Sequence, residues 1–160
     1  MREIGGALHI FLKFNPTYTN TQTHEIFNTI SEHTKILDEF GAVWWGSFGR
    51  NIGSRMISIF QRQISKKNQT KAYLYEKKSN KWYIGIIEDI INEPPSEKKI
   101  IPQYYRHTKC KAYIKFSKII DLKISIKPRD IQNSLIFVYE DGGVGPKFLH
   151  VDLNNRSLIE

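Results

Sequence analysis

The sequence predicts an α+β domain built on a mixed β-sheet of five to seven strands, curled or closed on itself, with helices at its flank. Three observations predict it. Strand-type patterns recur from residue 7 to residue 153. Helical spacing of apolar residues is confined to the part before residue 65. The 160 residues contain no internal repeat, low-complexity tract or linker-like stretch, so residues 1–160 read as one domain, long enough to bury a core.

Ala7 to Asn15 predicts a first strand, with His9, Phe11 and Lys13 alternating against Leu8, Ile10, Leu12 and Phe14. Asn15-Pro16 ends it. After a polar Thr/Asn stretch, Ile26, Phe27, Ile30, Ile36, Leu37 and Phe40 follow helical spacing, with Glu25, Glu32 and Lys35 on the other side. Thr21 or Thr23 is expected to cap that helix and Gly41 to close it. Ala42 to Trp45 reads as a short buried strand and Gly46 to Gly53 as a loop. Met56, Ile57, Phe60 and Ile64 predict a second helix. Gln69 to Tyr75 and Trp82 to Ile91 form a hairpin about a Lys77–Asn80 turn. Pro94-Pro95 ends its second arm, and the polar run around Pro102 reads as a loop. Cys110–Ile120, Ser134–Tyr139 and Phe148–Leu153 read as later strands, separated by Pro128 and an Asp141-Gly142-Gly143 turn.

The net charge is +8, and it is uneven. Residues 50–82 carry nine bases and one acid, Glu76; residues 104–129 carry eight bases and one acid, Asp121. Clustered Lys and Arg in a nearly neutral frame suit a polyanion, because phosphates reward them through counterion release. Trp82, Tyr83, Tyr104, Tyr105 and Tyr113 lie in or beside these segments, and bases stack on aromatic faces. The same pattern also fits a lysine-rich solvated surface over a core of aromatics.

Several classes are excluded. One cysteine, Cys110, provides no disulfide framework and fits a reducing, cytoplasmic setting. No apolar run reaches membrane-helix length, and the first residues lack a signal-peptide pattern. The histidines form no metal-ligand spacing and read as surface residues, with Cys110 buried. No nucleophile elbow, phosphate-binding loop, dinucleotide fingerprint or zinc-deaminase signature is present. The chain is therefore expected to be no enzyme and to need no cofactor or metal. A different-class alternative uses Asp89, Glu97 and Lys99 as a small metal-dependent nuclease centre, from an acid followed by Glu-Lys-Lys.

The least ordinary stretch is Ala42-Val43-Trp44-Trp45-Gly46-Ser47-Phe48-Gly49. Side chains alternate along a strand, so the adjacent tryptophans face opposite ways. One is expected to fill the core and the other to line a cleft.

This stretch, preceded by the Leu8–Phe14 strand, a polar stretch and a helix, resembles the opening of the PUA-like superfamily, in particular EVE and YTH domains. There a tryptophan in a Trp-x-Ser context walls an aromatic cage for a methylated base. Matched onto this chain, Lys13 falls in the strand motif and Trp44 at the cage position, while Ser47 stands one residue later than the family's serine. The segment from Gly41 to Phe48, the strand Thr70-Lys-Ala-Tyr-Leu-Tyr with its partner Tyr83-Ile-Gly-Ile, and Pro102-x-Tyr-Tyr-Arg106 leading into Ala112-Tyr-Ile-Lys-Phe resemble the N-terminal domains of McrB-type modification-dependent restriction proteins. The likeness covers roughly residues 7–125. It implies a PUA-like mixed β-barrel of five to seven strands flanked by two or three helices. It implies binding of DNA, methylated or otherwise modified, by base flipping. A nucleotide-hydrolase motor and a nuclease would lie on a longer chain or on partners.

The expected base-binding residues are Trp44, Trp45, Ser47, Phe48, Tyr104 and Tyr105. The expected phosphate contacts are Lys13, Arg50, Arg55, Arg106 and Lys109. RNA instead of DNA, the nuclease, and a basic module for an acidic protein partner remain the alternatives.

Overall fold

The computed structural model describes residues 8–48, 52–67, 69–125, 127, 137–139 and 147–151. Its elements in chain order are β1 (His9–Phe14), β2 (Thr17–Thr19), β3 (Ile26–Asn28), α1 (Thr29–Phe40), β4 (Val43–Ser47), α2 (Ser54–Ser65), β5 (Lys71–Glu76), β6 (Lys81–Ile91), β7 (Ala112–Ser125), β8 (Phe137–Tyr139) and β9 (Lys147–Val151). Two short 3-10 turns, Lys98–Ile100 and Gln103–Tyr105, sit between β6 and β7.

Seven strands form one mixed sheet in the order β4-β7-β6-β5-β1-β9-β8. β1 runs parallel to β5 and antiparallel to β9. The sheet curls. β1 and β4 stand four places apart in the strand order, about 19 Å if the sheet were flat. Yet the Phe14 and Trp45 rings are 5.3 Å apart. Register shifts along β6 and β7, at Lys81/Tyr83, Ile86/Ile87 and Ile87/Asp89, supply the bend, because a bulge kinks a strand and raises its twist. Gly85 allows the close approach: a Cβ there would collide with the Phe116 ring. The result is a half-barrel with two helices, the α+β architecture expected.

The concave side holds the main core. Ile10, Leu12 and Phe14 of β1 meet Val43, Trp45, Ile114 and Phe116, with Ile57 and Phe60 of α2 closing one end. A second cluster on the other face joins Phe11, Tyr73, Tyr75, Trp82 and Ile84. Both faces of β1 are therefore covered, and only Lys13 on it is exposed. The alternation read from His9, Phe11 and Lys13 reflects two different buried faces rather than a wet one.

One boundary is corrected. The first helix starts at Thr29, not near Thr21 or Thr23. Asn28 is its cap, with Oδ1 accepting from the Ser31 N–H at 2.9 Å. Ile26 and Phe27 belong instead to a hairpin, paired with Thr19 and Tyr18. Asn20 makes the turn, its Oδ1 accepting from the N–H groups of Gln22 and Thr23. Gly41 does close α1, at φ +79°. β4 runs on through Gly46 and Ser47, so the glycine loop begins later than expected. The Pro128 break and the Asp141-Gly142-Gly143 turn lie outside the described residues.

Candidate nucleic-acid interface

β4 separates its two tryptophans. Trp45 enters the main core, its ring centroid 4.2 Å from His33 in a stacked arrangement and 5.9 Å from Phe116. Trp44 lies on the opposite face with Ile100, Ile101, Tyr105, Cys110 and Tyr113. Its side chain is covered, at 2% exposure. Its Nε1 has no hydrogen-bond partner among the described residues. Lys115 Nζ stands 5.7 Å from the centre of its ring and 3.4 Å from Glu97 Oε1.

The segment between β6 and β7 covers Trp44, and Tyr105 pins it. The Gly46 N–H donates to the Tyr105 hydroxyl at 3.0 Å. His33 Nδ1 is 2.7 Å from the Thr29 carbonyl, which can only accept, so the ring proton sits on Nδ1. Nε2 then accepts from the Tyr105 hydroxyl, also at 2.7 Å. Burial lowers the His33 pKa from 6.5 to about 4, partly opposed by the Thr29 hydrogen bond, and so favours this neutral form. Burial also pushes the Tyr105 hydroxyl well above its ordinary range. His33 and His9 are thus buried, correcting the expectation of surface histidines: each ring nitrogen of His33 has a partner inside the fold. Cys110 is buried as expected, and its thiol pKa is raised by that burial. Gly46 is required here, because a Cβ would collide with Cys110 Sγ and the Tyr105 ring.

A run of rings leads from this buried pair to the surface. Tyr105 touches Tyr104 edge-on, at 4.9 Å between centroids. Tyr104 stacks on Phe27, at 5.1 Å and 11° between planes, and tilts against Tyr18, also at 5.1 Å. Burial raises the Tyr104 hydroxyl to about 12. Phe48 meets the edge of Tyr105 and is 53% exposed; Tyr18 is 45% exposed. Exposed aromatic rings beside buried ones form a wall on which a planar ligand can stack.

A family profile described as Pua-like matches residues 17–141. The chain belongs to the Pua-like family. No curated protein and no solved structure matches it.

The Pua-like domain brings some of its expected phosphate contacts together. Arg106 and Lys109 line one pocket with Lys98, His107, Thr108, Pro94 and Tyr113. Arg55 is exposed on the first turn of α2, which carries no acid there. Lys13 projects from β1 on the face away from Phe14. Arg50 lies outside the described residues. Ser47 is buried, and its carbonyl accepts from the Lys111 N–H at 2.8 Å.

The residues of the nuclease alternative are occupied separately. Asp89 Oδ1 accepts from the Ile90 N–H, Glu97 pairs with Lys115, and Lys99 Nζ lies 5.2 Å from the centre of the Phe40 ring. No group of three or more His, Cys, Asp or Glu suited to a metal occurs among the described residues.

Sequence reasoning missed Tyr18, Phe27, Lys98 and His107. Two were recoverable: Thr17-Tyr18-Thr19 and Ile26-Phe27-Asn28 are β-type triplets on either side of an Asn/Thr turn.

Proposed function

We propose that this Pua-like domain is a nucleic-acid-binding module that recognises a modified base in DNA, taken out of the duplex, and that it serves as the targeting domain of an McrB-like restriction system. One observation carries the nucleic-acid reading. The segment 103–109 holds both the outer aromatic wall, through Tyr104, and the basic residues Arg106 and Lys109. Stacking on rings and attraction to phosphate are the two terms that bind nucleic acid without reading sequence. The modified-base and restriction reading rests on the Val43-Trp44-Trp45-Gly46 likeness described above.

In this reading exposed Phe48 presents a face to the flipped base and half-buried Tyr104 backs the wall. Arg106 and Lys109 draw in a phosphate of the bound strand. Trp44 becomes a further wall when its cover shifts. Trp45, stacked on His33, stays in the core. Cleavage and translocation fall to other domains or partners.

The test is competition binding at fixed physiological salt. Duplex DNA with N6-methyladenine, with 5-methylcytosine or with neither is compared with matched single-stranded and duplex RNA. Preference for one modified DNA supports the proposal and identifies the base. Equal, salt-sensitive binding to every duplex removes modified-base recognition. Tightest binding to RNA overturns the DNA reading and leaves an RNA-binding module.

A further inference from the structure

The basic pocket has a shape and a charge that a groove for continuous backbone does not need. Its volume is about 180 Å³, below the roughly 300–1,000 Å³ typical of small-molecule sites, a size that suits a small anion. A phosphate group is one. Lys98, Arg106 and Lys109 give it three permanent positive charges, and His107 and Thr108 add polar groups. No carboxylate lines it among the described residues. Glu97, the nearest acid in sequence to Lys98, is held by Lys115 at 3.4 Å. None of Lys98, Arg106, His107 and Lys109 has a carboxylate partner among the described residues.

The pocket is also held in place, although it stands on a loop. Arg106 donates from Nε to the Ile101 carbonyl at 2.9 Å and from Nη2 to the Lys99 carbonyl at 3.3 Å. That fixes its plane and leaves its remaining N–H groups for a ligand. The Tyr113 hydroxyl donates to the Thr108 carbonyl at 3.3 Å and accepts from the Cys110 N–H at 2.9 Å. These bonds fix the turn that carries Lys109. The Arg106 plane and the backbone of the turn are thus pre-formed and lose little freedom on binding.

We infer that this pocket binds a phosphate monoester, the terminal phosphate of a nucleic-acid strand. A terminal monoester carries up to two charges and three unshared oxygens into a concavity, whereas an internal diester carries one charge and must leave on both sides. The inference rests on the nucleic-acid reading above and deepens it: the module engages a strand at its end.

The test uses one short single-stranded oligonucleotide in three forms: with a 5′-phosphate, with a 3′-phosphate, and with neither. Binding is measured at fixed salt, with a 5′-mononucleotide and inorganic phosphate as separate probes. One phosphorylated form should bind about tenfold more tightly than the unphosphorylated strand. The double variant Lys98→Ala/Lys109→Ala, at exposed positions, should abolish that preference. Lys77→Ala/Lys78→Ala, in the β5–β6 turn, should leave it intact. Arg106→Ala should also abolish it, but Arg106 bonds two carbonyls of its own loop, so the lysine pair is the decisive variant. Equal affinity for all three strands overturns the pocket assignment and leaves nucleic-acid binding standing. A preference that survives the lysine double variant places end recognition elsewhere and also overturns it. Binding of the mononucleotide or inorganic phosphate but of no strand overturns this inference and the proposed function together.

Discussion

Trp44 and Trp45 are chain neighbours, yet they occupy different kinds of surroundings. Trp45 is enclosed by regular elements: Phe14 on β1, His33 on α1 and Phe116 on β7. Trp44 is enclosed on one side by its sheet and on the other by an irregular segment with two 3-10 turns. The first site is packed by rings on three sides. The second leaves an indole N–H without a partner. An irregular cover tied mainly by side-chain bonds opens at lower free energy than sheet and helix cores. The difference teaches where the fold holds its stability and where it can yield to a ligand.

The largest expected effect is on the Trp45 side. Trp45→Ala should cost about 3–5 kcal/mol in denaturant unfolding, because β1, α1 and β7 lose a ring they share. A smaller loss than that of Trp44→Ala would reverse the comparison.

The next effect is a pH dependence from His33. Its folded pKa, about 4, lies below its unfolded value of about 6.5. Between those values the unfolded chain binds more protons. The contribution is therefore fully present above pH 6.5 and declines as the pH falls through the window toward 4. By pH 4 the loss should be about 3 kcal/mol relative to neutral pH. His33→Gln, measured across the same range, should remove most of that slope; an unchanged slope would place the titrating group elsewhere.

Gly46→Ala tests how tightly the Trp44 cover fits. A methyl group there meets Cys110 and Tyr105, so about 1–3 kcal/mol should be lost in thermal unfolding. A neutral result would mean that the cover gives way freely.

Trp44→Phe should have the smallest effect. It removes indole packing, but it also removes a buried donor that has no partner, and the two partly cancel to about 1 kcal/mol or less. Trp45→Phe, which loosens packing against Phe14, His33 and Phe116, should cost more in the same unfolding assay.

Much of this architecture was legible in the sequence, and the reasons are local. α2 was readable because Met56, Ile57, Phe60 and Ile64 form one apolar stripe. The β5–β6 hairpin was readable because the Lys77–Asn80 turn separates two strong strand patterns. The opposite orientation of the tryptophans followed from strand alternation alone. The start of α1 was not readable, because Ile26 and Phe27 fit helical spacing by coincidence while their pairing with β2 is a tertiary contact. The cover over Trp44 was read as a loop around Pro102. Its structural content comes from Tyr105 reaching Gly46 and His33, 59 and 72 positions away in sequence. The pocket was half visible: Arg106 and Lys109 stood out as charge, but Lys98 joins them only through the path of the loop.

The most direct test of the central claim is chemical-shift mapping of the labelled domain with a duplex containing one modified base. The account predicts that perturbations concentrate at Phe48, Tyr104, Arg106 and Lys109 and reach the Trp44 indole N–H, with the Trp45 indole unmoved. Perturbations confined to α2 or to the Lys77–Lys81 turn, with that segment and Trp44 silent, would contradict it.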